Sequence, residues 1–291
     1  MELPTRRWLL TRAALTAATI AAVPLGAAPA PAAGAAPATA ATALPVVDME
    51  LVLLAAQLDP PKPDTGLTPG AKAHVLAVEQ ALNTKGLLAA SAVDGHYGSS
   101  TVSAYAAWQR HLGYSGIDAN GLPGVTSLTR LGETRYTVTR PVRAGSRTDE
   151  YGGRQVNTRT ATMLAAADAI LPWGVTLSQG SYTTEDPTSA GTHDGGGVVD
   201  ISVAGLSTTQ RWRLVLALRT IGFAAWLRTP EQGFPFHVHA VAVSDPELSA
   251  PAQRQVHDYY FGRNGLASHA PDDTPTAYRA PFTWWEKSQR A

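Results

Sequence analysis

Two hydrophobic patterns divide this 291-residue chain. In the first half, apolar residues recur every three or four positions, which is the period of an amphipathic helix. In the second half, short alternating or continuous apolar runs, which are typical of strands, lie between further helical stretches. The predicted helices cover 75–86, 101–112, 126–131, 157–171, 208–221 and 250–261, and the predicted strands cover 175–182, 198–203, 223–228 and 237–243. We therefore expect a multidomain protein, with a small all-α three-helix unit followed by an α+β unit that has an antiparallel sheet.

Composition suggests where these units begin and end. Residues 69–132 hold the three predicted helices of the first unit, and residues 135–291 hold the α+β unit. Residues 31–68 are rich in Ala and Pro, which predicts an extended or disordered linker. Within this linker, the run from Val46 to Leu54 is apolar enough for a short helix or strand.

The first 30 residues have the form of an export signal. Thr5-Arg6-Arg7-Trp8-Leu9-Leu10 resembles the twin-arginine consensus, an Ala- and Leu-rich run follows, and Ala30 closes a small-residue cleavage site. Because the apolar run is short and is interrupted by Arg12 and Pro24, we expect cleavage rather than a membrane anchor. The chain is therefore predicted to be secreted, with no stable membrane insertion after signal cleavage.

Charge and cysteine content exclude several classes of function. The 23 Lys and Arg residues balance the 23 Asp and Glu residues. The chain therefore lacks the excess of basic residues that would predict nucleic-acid binding. The chain has no cysteine, which excludes disulfides, thiolate zinc ligands and a cysteine nucleophile. We expect no nucleic-acid partner and a monomeric protein.

Four side chains of types that bind zinc lie in two stretches of the α+β unit. His237 and His239 begin an alternating run, so both imidazoles project from one face of the predicted strand. Asp200 lies in another strand-like run, and the glycines at 195–197 let the chain turn back and bring His193 near it. Taken alone, each stretch is more typical of a structural histidine or of an ordinary surface loop than of a metal site. Together they predict a Zn²⁺ site with three protein ligands and a fourth position for water.

The spacing of these residues also resembles that of a known group of enzymes. His-x6-Asp followed downstream by His-x-His is similar to the superfamily of lysostaphin-type endopeptidases and D-Ala-D-Ala metallopeptidases, which cut peptidoglycan peptides. Gly196 matches the Ser-x-His-x-x-Gly-x-Ala-x-Asp pattern of the D-Ala-D-Ala branch, whereas Gly191 and Val198 stand at its Ser and Ala positions. The resemblance implies that His237 is a nearby base or polarising group. The metal ligands that it implies are His193, Asp200 and His239.

One position departs from the D-Ala-D-Ala branch, which carries a catalytic Glu three residues before its last ligand histidine. Phe236 occupies that position in this chain. Three interpretations stay open: His237 acts as the base, Glu231 reaches into the site, or the site binds a metal without hydrolysing a substrate.

The stretch 69–132 resembles the three-helix peptidoglycan-binding domain that is found on cell-wall hydrolases. The matching residues are Gln80, Leu82, Asp94-Gly95, Tyr97-Gly98, Thr101, Ala104, Trp108-Gln109, Gly121, Gly124 and Leu128. We expect most of them to hold the fold, so the resemblance implies peptidoglycan as the partner without indicating a contact surface. The alternative is a plain helical domain with Asp-Gly turns.

The preferred interpretation is a secreted, wall-associated zinc peptidase that acts on stem peptides as a D,D-carboxypeptidase or endopeptidase. In the resembled family a segment before the metal motif lines the substrate cleft, which implies Gln179, Ser181 and Tyr182 as substrate-binding residues, with Arg159 as a further one. An exposed polar strand edge is the alternative for that segment. The rival functions are a non-hydrolytic peptidoglycan-binding protein with a degenerate metal site and an amidase that cuts the lactyl–L-Ala bond.

Overall fold

The computed structural model describes residues 43–63, 66–184 and 189–291, and the expected export signal over residues 1–30 lies outside them. The strands are β1 (Val46–Asp48), β2 (Thr137–Thr139), β3 (Asp149–Tyr151), β4 (Arg154–Val156), β5 (Leu177–Gln179), β6 (Val198–Ser202), β7 (Phe223–Arg228) and β8 (His237–Ala242). The helices are α1 (Met49–Leu58), α2 (Lys72–Thr84), α3 (Ser99–His111), α4 (Val125–Leu131), α5 (Thr158–Asp168), α6 (Thr208–Ile221), α7 (Ala250–Tyr260) and α8 (Trp285–Ser288). The expected α+β class is confirmed. In the part of the chain described, no helix is both long and apolar enough to cross a bilayer.

The largest sheet has four antiparallel strands in the order β5-β6-β8-β7. Because side chains alternate along a strand, its two faces differ in character. One face is apolar and packs against α5 and α6 through residues such as Val199, Ile201 and Val238. The other face is apolar at one end, where Trp226 and Val241 join a second core that includes α1 and α7. Its remaining positions carry the polar side chains of the candidate site.

Within the expected linker over residues 31–68, the apolar run that begins at Val46 forms β1 and α1 over residues 46–58, and residues 31–42 lie outside the described residues. The Asp48 side chain caps α1 by accepting from the backbone N–H groups of Glu50 and Leu51. Nine of the ten residues of α1 are buried, as expected for a helix that is apolar on nearly every side. This helix packs against α2 and α7, so the helical unit and the sheet share a core and residues 43–291 form one compact unit.

Helices α2, α3 and α4 lie in the stretch where the sequence predicts three helices. Several residues of the matched pattern hold this part of the fold together. The carboxylate of the buried Glu79 accepts from the backbone of Asp94 and Gly95 and from the Thr101 hydroxyl, and burial raises the pKa of Glu79 to about 7. The Trp108 indole donates to the Ser127 carbonyl. These contacts agree with the expectation that most pattern residues are structural.

Candidate metal centre

Three of the predicted ligands meet at the polar part of the sheet face. Nitrogen atoms of His193 and His239 and an oxygen of Asp200 all lie within 4.8 Å of one another. His239 Nδ1 is 2.8 Å from Asp200 Oδ1, and His193 Nε2 is 3.4 Å from the same oxygen. Both imidazoles are buried, whereas Asp200 is partly exposed. The three atoms are close enough to share one divalent ion, which binds such ligands at about 2.0–2.2 Å.

The strand register explains why residues far apart in the chain meet here. Asp200 on β6 pairs directly with His239 on β8, and Ser202 pairs with His237. Residues 237 and 239 are two apart on one strand, so both imidazoles project from the same face. The alternation in the sequence predicts this arrangement.

His193 reaches the strands from a short 3₁₀ helix, Thr192–Asp194, and the three glycines that follow it allow this approach. A Cβ atom on Gly195 would lie 2.2 Å from the Glu247 carbonyl oxygen, which no side chain could tolerate. Gly197 has φ of +78°, in the left-handed region that favours glycine. The glycine run is therefore a closely packed connection that positions His193, rather than an ordinary surface loop.

Hydrogen bonds outside the site fix the proton positions on two of the histidines. His193 Nδ1 lies 2.8 Å from the Gly180 carbonyl oxygen, and His237 Nδ1 lies 2.8 Å from that of Pro235. A carbonyl oxygen only accepts, so each Nδ1 carries the hydrogen of the neutral ring. In both rings this leaves the lone pair on Nε2, and each Nε2 faces Asp200.

The proton of His239 is fixed in the same way by Gln255 on α7. The Gln255 amide nitrogen donates to the Gly265 carbonyl at 3.1 Å, so its oxygen faces His239 Nε2 at 2.9 Å. Nε2 must then donate, and in the neutral ring the lone pair is on Nδ1, 2.8 Å from Asp200 Oδ1. A ligand histidine whose other nitrogen donates to an oxygen is the usual arrangement around protein-bound metals.

The side-chain types and charges of this cluster suit a cation. Burial lowers the pKa of His239, and this outweighs the opposite effect of Asp200, so the ring is neutral at pH 7. Burial raises the pKa of Asp200, but interaction with the neighbouring His193 and His239 outweighs burial and holds that pKa well below its ordinary value. A carboxylate beside two imidazole nitrogens is a donor set that a divalent cation such as zinc would bind.

His237 lies beside this triad and outside it. Its Nε2 is 3.6 Å from Asp200 Oδ1, and the side chain is partly exposed. The other base considered from the sequence, Glu231, is not at this position, and neither is a carboxylate at residue 236. Phe236 is 45% exposed and carries no titratable group, and Glu231 is exposed and does not line the cavity around the triad. Of the two proposed bases, His237 and Glu231, only His237 is therefore placed at the site.

A cavity of about 1130 Å³ opens over the triad and is large enough for a peptide. One wall is a stripe of α7, formed by Pro251, Arg254, Gln255 and Asp258, which are spaced as one helical face. The opposite rim carries Phe234, Pro235 and Phe236, and the sheet contributes Gln179, Ser202 and Arg228. Gln179 is thus the one residue of the predicted substrate-binding set that lines this cavity.

The other three residues of that set contact other parts of the fold and do not line the cavity. The Ser181 hydroxyl is buried and donates to the Val198 carbonyl at 2.8 Å. The Tyr182 hydroxyl donates to the Glu247 carboxylate. The Arg159 guanidinium is buried, forms an ion pair with Glu286 at 2.8 Å and donates to the Val243 carbonyl at 3.0 Å. None of these three side chains lines the cavity.

Sequence reasoning missed two residues that contact or line the site. Gln255 lies in a predicted helix, but its pairing with His239 depends on how α7 packs on the sheet. Arg228 ends β7, and its position opposite His237 depends on the strand order. The sequence did contain a signal for Arg228. It is a charged residue two positions after Trp226, so it projects from the same face of the strand.

No family model, curated protein or solved structure matches this chain.

We expect Gln255→Ala to weaken metal binding by about 10- to 100-fold, because loss of a partner that orients a ligand histidine has effects of this size. Gln253→Ala is the matched control, since Gln253 on the same helix donates to the Leu248 carbonyl instead of a histidine. Competition with a chromophoric chelator measures both affinities. Equal affinities for the two variants would show that Gln255 does not orient His239.

Proposed function

We propose that the protein is a secreted zinc-dependent peptidase that cuts the peptides of peptidoglycan, held at the wall by the part of the chain that contains α2, α3 and α4. The observation that carries the proposal is that ligand atoms of His193, Asp200 and His239 lie within 4.8 Å of one another beside a peptide-sized cavity. The similarity of this motif to the lysostaphin and D-Ala-D-Ala metallopeptidases supports the choice of substrate.

In this proposal His193, Asp200 and His239 hold the ion, and His237 is the residue that handles the proton. A zinc ion, when bound, lowers the pKa of water and polarises a carbonyl group. His237 Nε2 carries a free lone pair and faces the triad, so it can accept the proton of the attacking water and pass it to the leaving amine. The Pro235 carbonyl holds the opposite side of the ring and fixes this orientation.

The helical part contributes by holding the site near its substrate. Helices α1, α2, α3 and α4 share a hydrophobic core with the sheet, so a wall contact made by the helices keeps the cavity close to stem peptides. Such tethering raises the effective substrate concentration without any new contact at the cavity.

The proposal is tested by digestion of purified sacculi. Metal-loaded protein is expected to release peptides or amino acids, and mass spectrometry of the muropeptides identifies the bond that is cut. A chelator should abolish the release and added Zn²⁺ should restore it. Release that persists in the chelator would contradict the role of zinc, and cleavage at the lactyl–L-Ala bond would show an amidase instead.

A non-hydrolytic wall-binding protein is the second candidate, and one observation favours it. The position three residues before His239 carries Phe236 instead of a carboxylate, and Glu231 is exposed and away from the cavity. This candidate predicts a protein that binds sacculi and one metal ion per chain but releases nothing from them.

A further inference from the structure

A second, smaller groove lies along α7 and continues from the cavity over the metal triad. Its volume is about 360 Å³, and Arg254, Asp258 and His269 line both the groove and the cavity. We propose that Arg254 is a substrate-binding residue of the peptidase and binds a free carboxylate that the peptide carries two or three residues away from the bond that is cut. This inference rests on the proposed function, because it names a substrate group that the same site recognises.

The spacing of residues along α7 explains why Arg254 lies between the cavity and the groove. The cavity is lined by positions 251, 254, 255 and 258 of this helix, and the groove is lined by positions 254, 257 and 258 and by the C-cap residue 261. Each set has the i, i+3, i+4, i+7 spacing of one helical face, and the two faces overlap at 254 and 258. Arg254 is therefore on the ridge between the two spaces, next to Gln255, which contacts the metal ligand His239.

Arg254 is the unpaired charge on this ridge. Its side chain is exposed, and among the residues that the structure describes it forms no ion pair or hydrogen bond. The other charged residue of the ridge, Asp258, is engaged, because its carboxylate lies 2.8 Å from His269 Nδ1 and 3.7 Å from Arg263 Nη1. The guanidinium of Arg254 is thus available to an anion that comes with the substrate.

The rest of the groove suits a peptide segment that carries an acid. Of the described residues that line it, Asp258 is the one acidic side chain, against the three cations Lys62, Arg254 and Arg263. This excess of positive charge favours an anion. At the far end of the groove the ring of Phe261 is 47% exposed and gives the bound segment an apolar wall.

The helix sets the distance between the reacting centre and the groove. From position 255, beside the triad, to position 261 at the far end of the groove, the chain rises by about 9 Å, since each helical residue adds about 1.5 Å. An extended peptide covers this distance with two or three residues, at about 3.3–3.6 Å each. A peptide that runs from the triad over the ridge therefore brings a group two or three residues from the scissile bond within reach of Arg254.

Stem peptides carry an acidic group at this distance. Their glutamate is linked to the next residue through its side-chain carboxyl group, so its α-carboxylate is free. One residue separates this glutamate from the terminal D-Ala-D-Ala. When the bond between the two D-Ala residues lies at the triad, the free carboxylate is therefore two residues before the residue that supplies the scissile carbonyl.

The test compares two synthetic stem pentapeptides that differ only at the glutamate α-carboxyl group, which is a free acid in one and an amide in the other. Zinc-loaded wild type should have a KM for the acid about fivefold lower than for the amide, the upper range for an exposed ion pair, with equal kcat. Arg254→Gln should raise the KM for the acid to that for the amide, and Arg254→Glu should reverse the preference. Arg213→Gln is the matched control, because Arg213 is exposed on α6 and lines neither space.

A binding measurement separates recognition from catalysis. Calorimetry of zinc-loaded protein with the same two peptides, each carrying a reduced bond in place of the scissile one, should show tighter binding of the acid, and the difference should vanish in Arg254→Gln. Equal KM values for the two peptides in wild type, or a preference that persists in Arg254→Gln, would overturn the role of Arg254 while the peptidase stands. Where neither pentapeptide is cleaved, the calorimetric difference alone decides whether Arg254 binds the carboxylate, and if sacculi are not cleaved either, the proposed function itself fails.

Discussion

Asp200→Asn is expected to give a folded protein that no longer retains its metal and whose kcat/KM on stem peptides falls by about a thousandfold or more. The carboxylate supplies the negative charge of the ligand set, and nitrogen atoms of His239 and His193 lie 2.8 and 3.4 Å from its Oδ1. Its loss removes several kcal/mol of charge stabilisation, and each 1.4 kcal/mol is a factor of ten in rate. The new amide group can donate to a histidine lone pair, so the metal-free variant should unfold no earlier than metal-free wild type.

The matched control for this variant is Asp194→Asn. Asp194 ends the same 3₁₀ helix that carries His193 but does not line the cavity. Metal content by mass spectrometry and cleavage of stem peptides should match wild type in this control. An Asp200→Asn protein with one tightly bound ion per chain would contradict the assignment of the ligands.

His237→Ala is expected to keep the metal and to lower kcat by about 10²- to 10⁴-fold, the usual contribution of a positioned general acid or base. His237 Nε2 lies beside the triad at 3.6 Å from Asp200 Oδ1 and does not belong to it, so loss of the ring should leave metal affinity and KM largely unchanged. The measurements are metal content and kcat on a stem peptide.

The matched control removes another imidazole from the rim of the same cavity. His269 is exposed and its Nδ1 is held by Asp258 at 2.8 Å, so His269→Ala should keep activity close to wild type. Loss of metal in His237→Ala would make His237 a ligand, and unchanged kcat would remove it from catalysis.

The metal triad could be predicted from the sequence because its geometry follows from local rules. Two-residue spacing on a strand puts His237 and His239 on one face wherever that strand lies. The glycines at 195–197 predict a tight turn that residues with a Cβ atom could not adopt. A Cβ on Gly195 would indeed collide with the backbone. Asp200 lies beside His239 because β6 and β8 are neighbouring strands and these two residues pair in register.

The residues around the triad could not be predicted because they depend on long-range packing. Gln255 reaches His239 only because α7 crosses the polar sheet face, and Arg228 adjoins His237 only because β7 lies at the edge of the sheet. In the segment before the metal motif, by contrast, residues were predicted to line the cavity that the structure places elsewhere. Its polar residues Ser181 and Tyr182 look like cleft residues along the sequence, but their hydroxyls donate to backbone and to Glu247.

Helix α1 shows how neighbouring composition can hide a core element. The run from Met49 to Leu58 lies between an Ala/Pro-rich stretch and Asp59-Pro60-Pro61, which together are typical of a linker. The cap residue Asp48 and the apolar residues on nearly all sides of the helix were the local signal. Its burial against α2 and α7 is a tertiary fact, and it joins two units that the sequence presents as separate.

The central claim is that one divalent ion is held by His193, Asp200 and His239, and anomalous diffraction at the zinc edge tests it most directly. Crystals of zinc-loaded protein should show a single strong peak about 2.0–2.2 Å from His193 Nε2, His239 Nδ1 and an Asp200 oxygen. The same map distinguishes His237, whose Nε2 should lie outside this distance. Zinc-loaded crystals without anomalous density among these three side chains would contradict the account.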